Sequence, residues 1–194
     1  HTTCGNWTET TSTNVVKGVA TGVVDHCTEF SSMRCSDSAH LLCIQVGPGD
    51  SVDLPSPTGK LVFVSSAVGS GALASWPQAT GQTGLAAGDA ICRTLASQGG
   101  LPNATTYKAW LSSSAIDAID RLESDGPWSR VDGFPLADSR TDLLDGFLFT
   151  SIGVDEQGTH IDDYDSTWTG TLNDGTADND ACNDWSSEAS AIRG

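Results

Sequence analysis

The sequence predicts an α+β fold, disulfide-stabilised, with few helices and long loops, and three observations carry that expectation. Only one long stretch, GLAAGDAICRTLASQGG (84–100), has the spacing of a full amphipathic helix. Apolar runs elsewhere are short and bounded by Gly, Pro, Asn, Asp or Ser, the punctuation of strands and turns. Six cysteines stand among few lysines and many Thr, Ser, Gly and Asp residues, the profile of an exported, disulfide-held protein.

Taken in order, residues 14–46 alternate apolar stretches (NVVKGVATGVV, AHLLCIQV) with turn residues and read as β-structure. GPGDSVDLPSPTG (47–59) carries three Pro and almost nothing apolar, so it reads as a linker. KLVFVSS (60–66) is a buried-strand candidate, rich in β-branched residues. In 84–100, Leu85, Ile91, Cys92 and Leu95 share a helix face, and Gly99-Gly100 end it. YKAWLSS (107–113) alternates like a strand, and AIDAIDRL (115–122) reads as a short amphipathic helix. From 125 onward, Gly, Asp, Ser and Thr punctuate scattered Trp residues, which predicts ordered loops and short strands.

A chain of 194 residues can hold one sizeable core. No apolar run approaches the roughly 18–20 residues that span a bilayer. A start at His1 suits a processed, mature end, and localisation is expected to be extracellular, secreted or at the cell surface. Net charge is −16, and between Arg140 and Arg193 there is no Lys or Arg but ten Asp and two Glu. Nucleic acid and anionic membranes need positive charge and are therefore not expected partners.

The two ends of the chain repeat one phrase. CGNWTETTSTNVVKG (4–18) and CNDWSSEASAIRG (182–194) both run Cys, two small or polar residues, Trp, a polar patch, then a basic residue and Gly. The offset from Cys4 to Cys182 equals that from Trp7 to Trp185, as in a tandem array cut in mid-domain.

The ordered series KLVFVSSAVGSGAL, GLAAGDAICRTLA, YKAWLSSS, GPWSRVDG, DLLDG, WTGTLNDGT and CNDWSS resembles bacterial domains similar to endostatin, the C-terminal collagen fragment, which has a C-type-lectin-like fold. The resemblance covers residues 60–194, the body. In that family the domain continues past CNDWSS to further cysteines and a closing strand. Residues 1–46 resemble that missing tail, with Cys35 and Cys43 at its closing positions. The implied organisation is a tail segment (1–46), a linker (47–59) and a body (60–194).

An incomplete domain of this kind exposes a sheet edge and an open core. The tail can close its own body, insert into a neighbouring copy, or belong to a longer array. The resemblance implies that Cys92 pairs with Cys43 and Cys182 with Cys35, leaving Cys4 and Cys27 to pair locally. Cys27 stands where the family usually has Trp. A duplicated CxxW segment is superfluous in a self-closed chain, which favours a head-to-tail homopolymer, a filament, in which each copy's N-terminal segment completes the next. The alternative is a self-closed monomeric binding module for a glycan or extracellular-matrix protein.

Enzyme signatures do not emerge, and none is expected. No GxSxG or HExxH occurs. His1 at an amino terminus invites a copper brace, but His26, His40 and His160 lie in no supporting motif. DEQGTHIDDYDSTW and NDGTADNDACND supply oxygen ligands of the kind Ca²⁺ takes, and the candidates are Asp163, Asp165, Asp174, Asp178, Asp180 and Asp184. The Glu-Pro-Asn sugar motif of lectins is absent, and turns and side-chain caps explain the same residues. The six Trp suit either a sugar-stacking platform or a loop-rich core. Asn6 and Asn103 head N-x-Thr sequons, candidate glycosylation sites.

Overall fold

A computed structural model describes residues 8, 14–17, 31–39, 41, 43, 46, 56–161, 166–178 and 181–189. The chain divides into two units, His1–Asp53 and Leu54–Gly194. In the first, β1 (Asn14–Lys17) pairs antiparallel with β2 (Ser31–Arg34), with Asn14 opposite Arg34 and Lys17 opposite Ser31.

The second unit mixes helix and sheet, with few helices and one small sheet, which makes it α+β. Strands β3 (Lys60–Val62), β4 (Trp128–Arg130) and β5 (Pro135–Ala137) lie in the order β3-β4-β5. β3 runs parallel to β4, and β4 and β5 form an antiparallel pair with a bulge at Trp128/Ser129. β3 has one strand neighbour among the described residues, so its other side is an edge.

The one long helix among the described residues, α1 (Gly84–Gln98), buries Ala87, Ile91 and Leu95 at four-residue spacing against Leu73, Leu111 and Trp185. It ends in a Schellman motif. Leu101 N donates to Ala96 O (2.9 Å) and Gly100 N to Ser97 O (3.2 Å), with Gly100 at φ +68°, where a side chain would be strained. A second apolar cluster, Trp128, Leu136 and Ala137, sits on β4 and β5 with Val62, Leu122, Leu143 and Ile152 packed around it. A short helix, α2 (Arg140–Leu143), follows β5 and starts with Ser139 Oγ accepting from Asp142 N.

Two expected elements do not form, and the strand read at 60–66 is confined to Lys60–Val62. Residues 107–113 are not a strand. Their backbone is held by side chains instead: Asp89 Oδ1 accepts from Ala109 N (3.0 Å), and Arg121 Nη1 donates to Ala109 O and Leu111 O. The helix expected over 115–122 shrinks to a 3₁₀ turn at Ile119–Arg121. Arg121, which an amphipathic helix would place in water, is buried to reach those carbonyls.

Cys182–Trp185 forms one turn with left-handed backbone, φ running 45°, 52°, 53° and 64°. Such angles cost roughly 1–2 kcal/mol per residue without a glycine, so the surroundings must hold them. Trp185 is wholly buried and donates Nε1–H to Ser112 O (2.7 Å), while Asp184 accepts from Ser114 N and Oγ (both 2.7 Å).

Candidate functional site

Between the sheet, α1 and the 143–152 stretch lies a half-open hollow of about 830 Å³. β3 and its continuation contribute Leu61, Val62 and Phe63, α1 contributes Cys92, the other strands contribute Trp128 and Leu136, and Leu143, Leu148 and Ile152 close the far side. Folded interiors hold few voids larger than a water molecule. Sealed and empty, a void of this size would cost on the order of 20 kcal/mol at ~24 cal/mol per Å³, more than a domain's whole stability. The hollow is therefore open to solvent, with a mainly apolar lining.

Cys92 is the one cysteine on that lining, and it is a thiol. Burial pushes this thiol up to about 12, with the Asp89 carboxylate adding to the rise and Arg121 and Arg93 opposing it. Asp89 is in turn clamped by Arg121 (2.5 Å) and by Arg93 (3.5 Å). At neutral pH Cys92 is an unreactive thiol facing an apolar surface.

Cys182 is buried on a smaller hollow of about 200 Å³ with Ser70, Gly71, Trp168 and Glu188. Gly71 permits this close approach, since a β-carbon there would lie 2.3 Å from Cys182 Sγ. In the N-terminal unit, Cys43 is an exposed thiol, flanked by Leu41 at 86% and Val46 at 97% exposure. Cys35 is disulfide-bonded. Cys4 and Cys27 lie outside the described residues.

The carboxylates read as calcium candidates do other work where they are described. Asp174 accepts from Thr176 N (3.1 Å) and Oγ1 (2.6 Å), bonds that hold its carboxyl below the usual range. Asp184 is lowered the same way by Ser114. Asp178 is exposed, and Asp163, Asp165 and Asp180 lie outside the described residues. Among the described residues, no three His, Cys, Asp or Glu side chains group closely enough to hold a metal.

Among the described residues, the tryptophans divide between the two cores. Trp185 is in the first core and Trp128 in the second, while Trp168, 42% exposed, leans edge-on against Trp185 at 6.4 Å. Asn103 is exposed at φ +54° on the rim of the large hollow; Asn6, His1, His26 and His40 lie outside the described residues. His160 is exposed.

Three features escaped the sequence reading. Arg121 and Glu156 are buried, the latter bound by Ser66 N (3.1 Å) and Ser66 Oγ. The apolar run GFLF (146–149) lies on the surface, and its four letters in an Asp-rich stretch are the signal that was available. No helix among the described residues is long and apolar enough to cross a membrane. No protein-family model, curated protein or solved structure matches the chain.

Proposed function

We propose that this chain is an extracellular, non-enzymatic structural subunit that polymerises head to tail, each copy donating its N-terminal segment to complete the lectin-like body of the next. The observation that carries the reading is the open apolar hollow with the Cys92 thiol on its wall, in a chain whose Cys43 thiol is exposed between bare Leu41 and Val46. A segment with unburied apolar residues and a hollow with no apolar filling are complementary surfaces. Apolar burial, worth about 25 cal/mol per Å², drives their union. The edge of β3 offers the segment a backbone partner, the strand-addition mode of recognition. Donor and acceptor surfaces differ, so contacts of this kind propagate instead of closing a symmetric dimer.

The Cys43–Cys92 bond then fixes the joint. Forming it removes two protons and two electrons from the thiols, taken up by a disulfide oxidant outside the cell. Because Cys92 is held as a thiol, docking precedes the covalent step. Calcium is not required by this reading.

The test mixes two variants in the presence of glutathione disulfide. Cys92→Ser keeps only the donor thiol of the pair, and Cys43→Ser keeps only the acceptor. A covalent heterodimer on a non-reducing denaturing gel, with Cys43 linked to Cys92 by peptide mapping, is the expected result, and the unsubstituted chain should give a ladder that reductant collapses. Monomers in the mixture, with an intrachain Cys43–Cys92 bond in the unsubstituted chain, would overturn the polymer and leave the self-closed glycan- or matrix-binding module.

A further inference from the structure

Residues 147–149 place three large apolar side chains in succession at the surface: Phe147 is 76% exposed, Leu148 39% and Phe149 52%. Such runs are rare on a monomer's surface without a binding role. Their backbone is anchored. Asp145 Oδ1 accepts from Phe147 N (2.8 Å), and Phe149 N donates to Leu136 O on β5 (3.0 Å). The rings are thus held outward by a fixed strap. Leu148, between them, belongs to the lining of the large hollow, so the exposed ridge and the hollow form one continuous apolar surface.

We infer that Phe147 and Phe149 are the outer half of the acceptor surface, covered by the residues that follow Cys43 in a second copy of this chain; the inference rests on the head-to-tail reading. Three facts point to that occupant. With Cys43 held at Cys92, a strand rising about 3.3 Å per residue carries Ile44–Val46 roughly 10 Å beyond the hollow's cysteine. Val46 is almost fully exposed in the chain itself and supplies a matching apolar side chain. Residues 38–49 contain no Asp, Glu, Lys or Arg, so in a chain of net charge −16 this is a stretch that can cover aromatic rings without burying a charge.

The double variant Phe147→Ser/Phe149→Ser tests it in the Cys43→Ser background, mixed with the Cys92→Ser donor. Association before oxidation is read by sedimentation, and the covalent heterodimer by non-reducing gel. The expected result is association weakened at least tenfold, urea stability of the lone chain unchanged, and rescue by Phe147→Leu/Phe149→Leu. Association equal to that of the parent pair, with stability also unchanged, overturns the role of the ridge while leaving the polymer intact. Failure of the parent pair itself to associate overturns the polymer and, with it, this surface.

Discussion

Arg121 Nη2 lies 2.5 Å from Asp89 Oδ1, with both side chains almost wholly removed from solvent. The same guanidinium reaches two backbone carbonyls of the 107–113 loop, and Asp89 accepts from that loop's Ala109 N. One ion pair therefore pins the loop to α1, one turn from Cys92, and sets one wall of the hollow.

Removing one partner of a buried pair strands the other. Arg121→Met is expected to destabilise the chain by about 1–3 kcal/mol, seen as a lower urea midpoint, because it removes Asp89's closest, buried partner and leaves only the more distant, half-exposed Arg93. The double variant Arg121→Met/Asp89→Leu should recover a large part of that loss. A single-variant loss under about 1 kcal/mol would show that the pair does not hold the loop.

Thiol reactivity should divide the cysteines sharply. A thiol at about 12 is ionised to roughly one part in ten thousand at pH 8, against about a quarter for an ordinary thiol near 8.5. In the lone chain, iodoacetamide should modify exposed Cys43 at least 100-fold faster than Cys92, as followed by peptide mass spectrometry. Comparable rates would contradict the raised Cys92 thiol and the order of docking before bonding.

Much of α1 was legible because its buried positions repeat at helical spacing and a Gly-Gly pair follows, which is local information. Residues 107–113 were misread for a non-local reason. Their alternation is real, but the partners that satisfy the backbone are Asp89, Arg121 and, for Ser112 N, Thr169 O, and no pattern within seven residues reports them. Arg121 was hidden in the same way: a basic residue in an amphipathic phrase reads as solvent-facing until its carbonyl partners are known. The cysteine at the hollow was visible as a helix-face residue, whereas the hollow is a property of how loops far apart in sequence stand off from the sheet.

Charge sets a condition on assembly. Residues 1–46 carry two basic and four acidic side chains, and residues 60–194 carry seven and nineteen. Donor and acceptor are both negative, so their approach is opposed at low ionic strength and eased by screening. Association of the Cys43→Ser and Cys92→Ser chains should speed up between about 10 and 150 mM salt, where the screening length falls from about 30 to 8 Å. Slowing with added salt would mean that a local charge complement, absent from these totals, steers docking.

Acid should loosen the left-handed Cys182–Trp185 turn. The hydrogen bonds from Ser114 N and Oγ hold the Asp184 carboxyl below its ordinary value. A carboxyl lowered in the folded state stabilises it above the unfolded value, about 3.9, and that contribution is lost as pH falls from there through the folded value. Because Asp184 is exposed, the effect on global stability is small and the local one is the readout. Amide exchange at Ser114, corrected for intrinsic rates, should accelerate as pH drops below about 4, and Ser114→Ala should show faster exchange of the turn already at neutral pH. The turn has no glycine to relax its backbone, so losing this clasp leaves the burial of Trp185, its bond to Ser112 O and the turn's own backbone bonds to hold four left-handed residues. Exchange at the turn that is flat across this range in the unsubstituted chain would show that Trp185 packing suffices and that Asp184 is not the clasp.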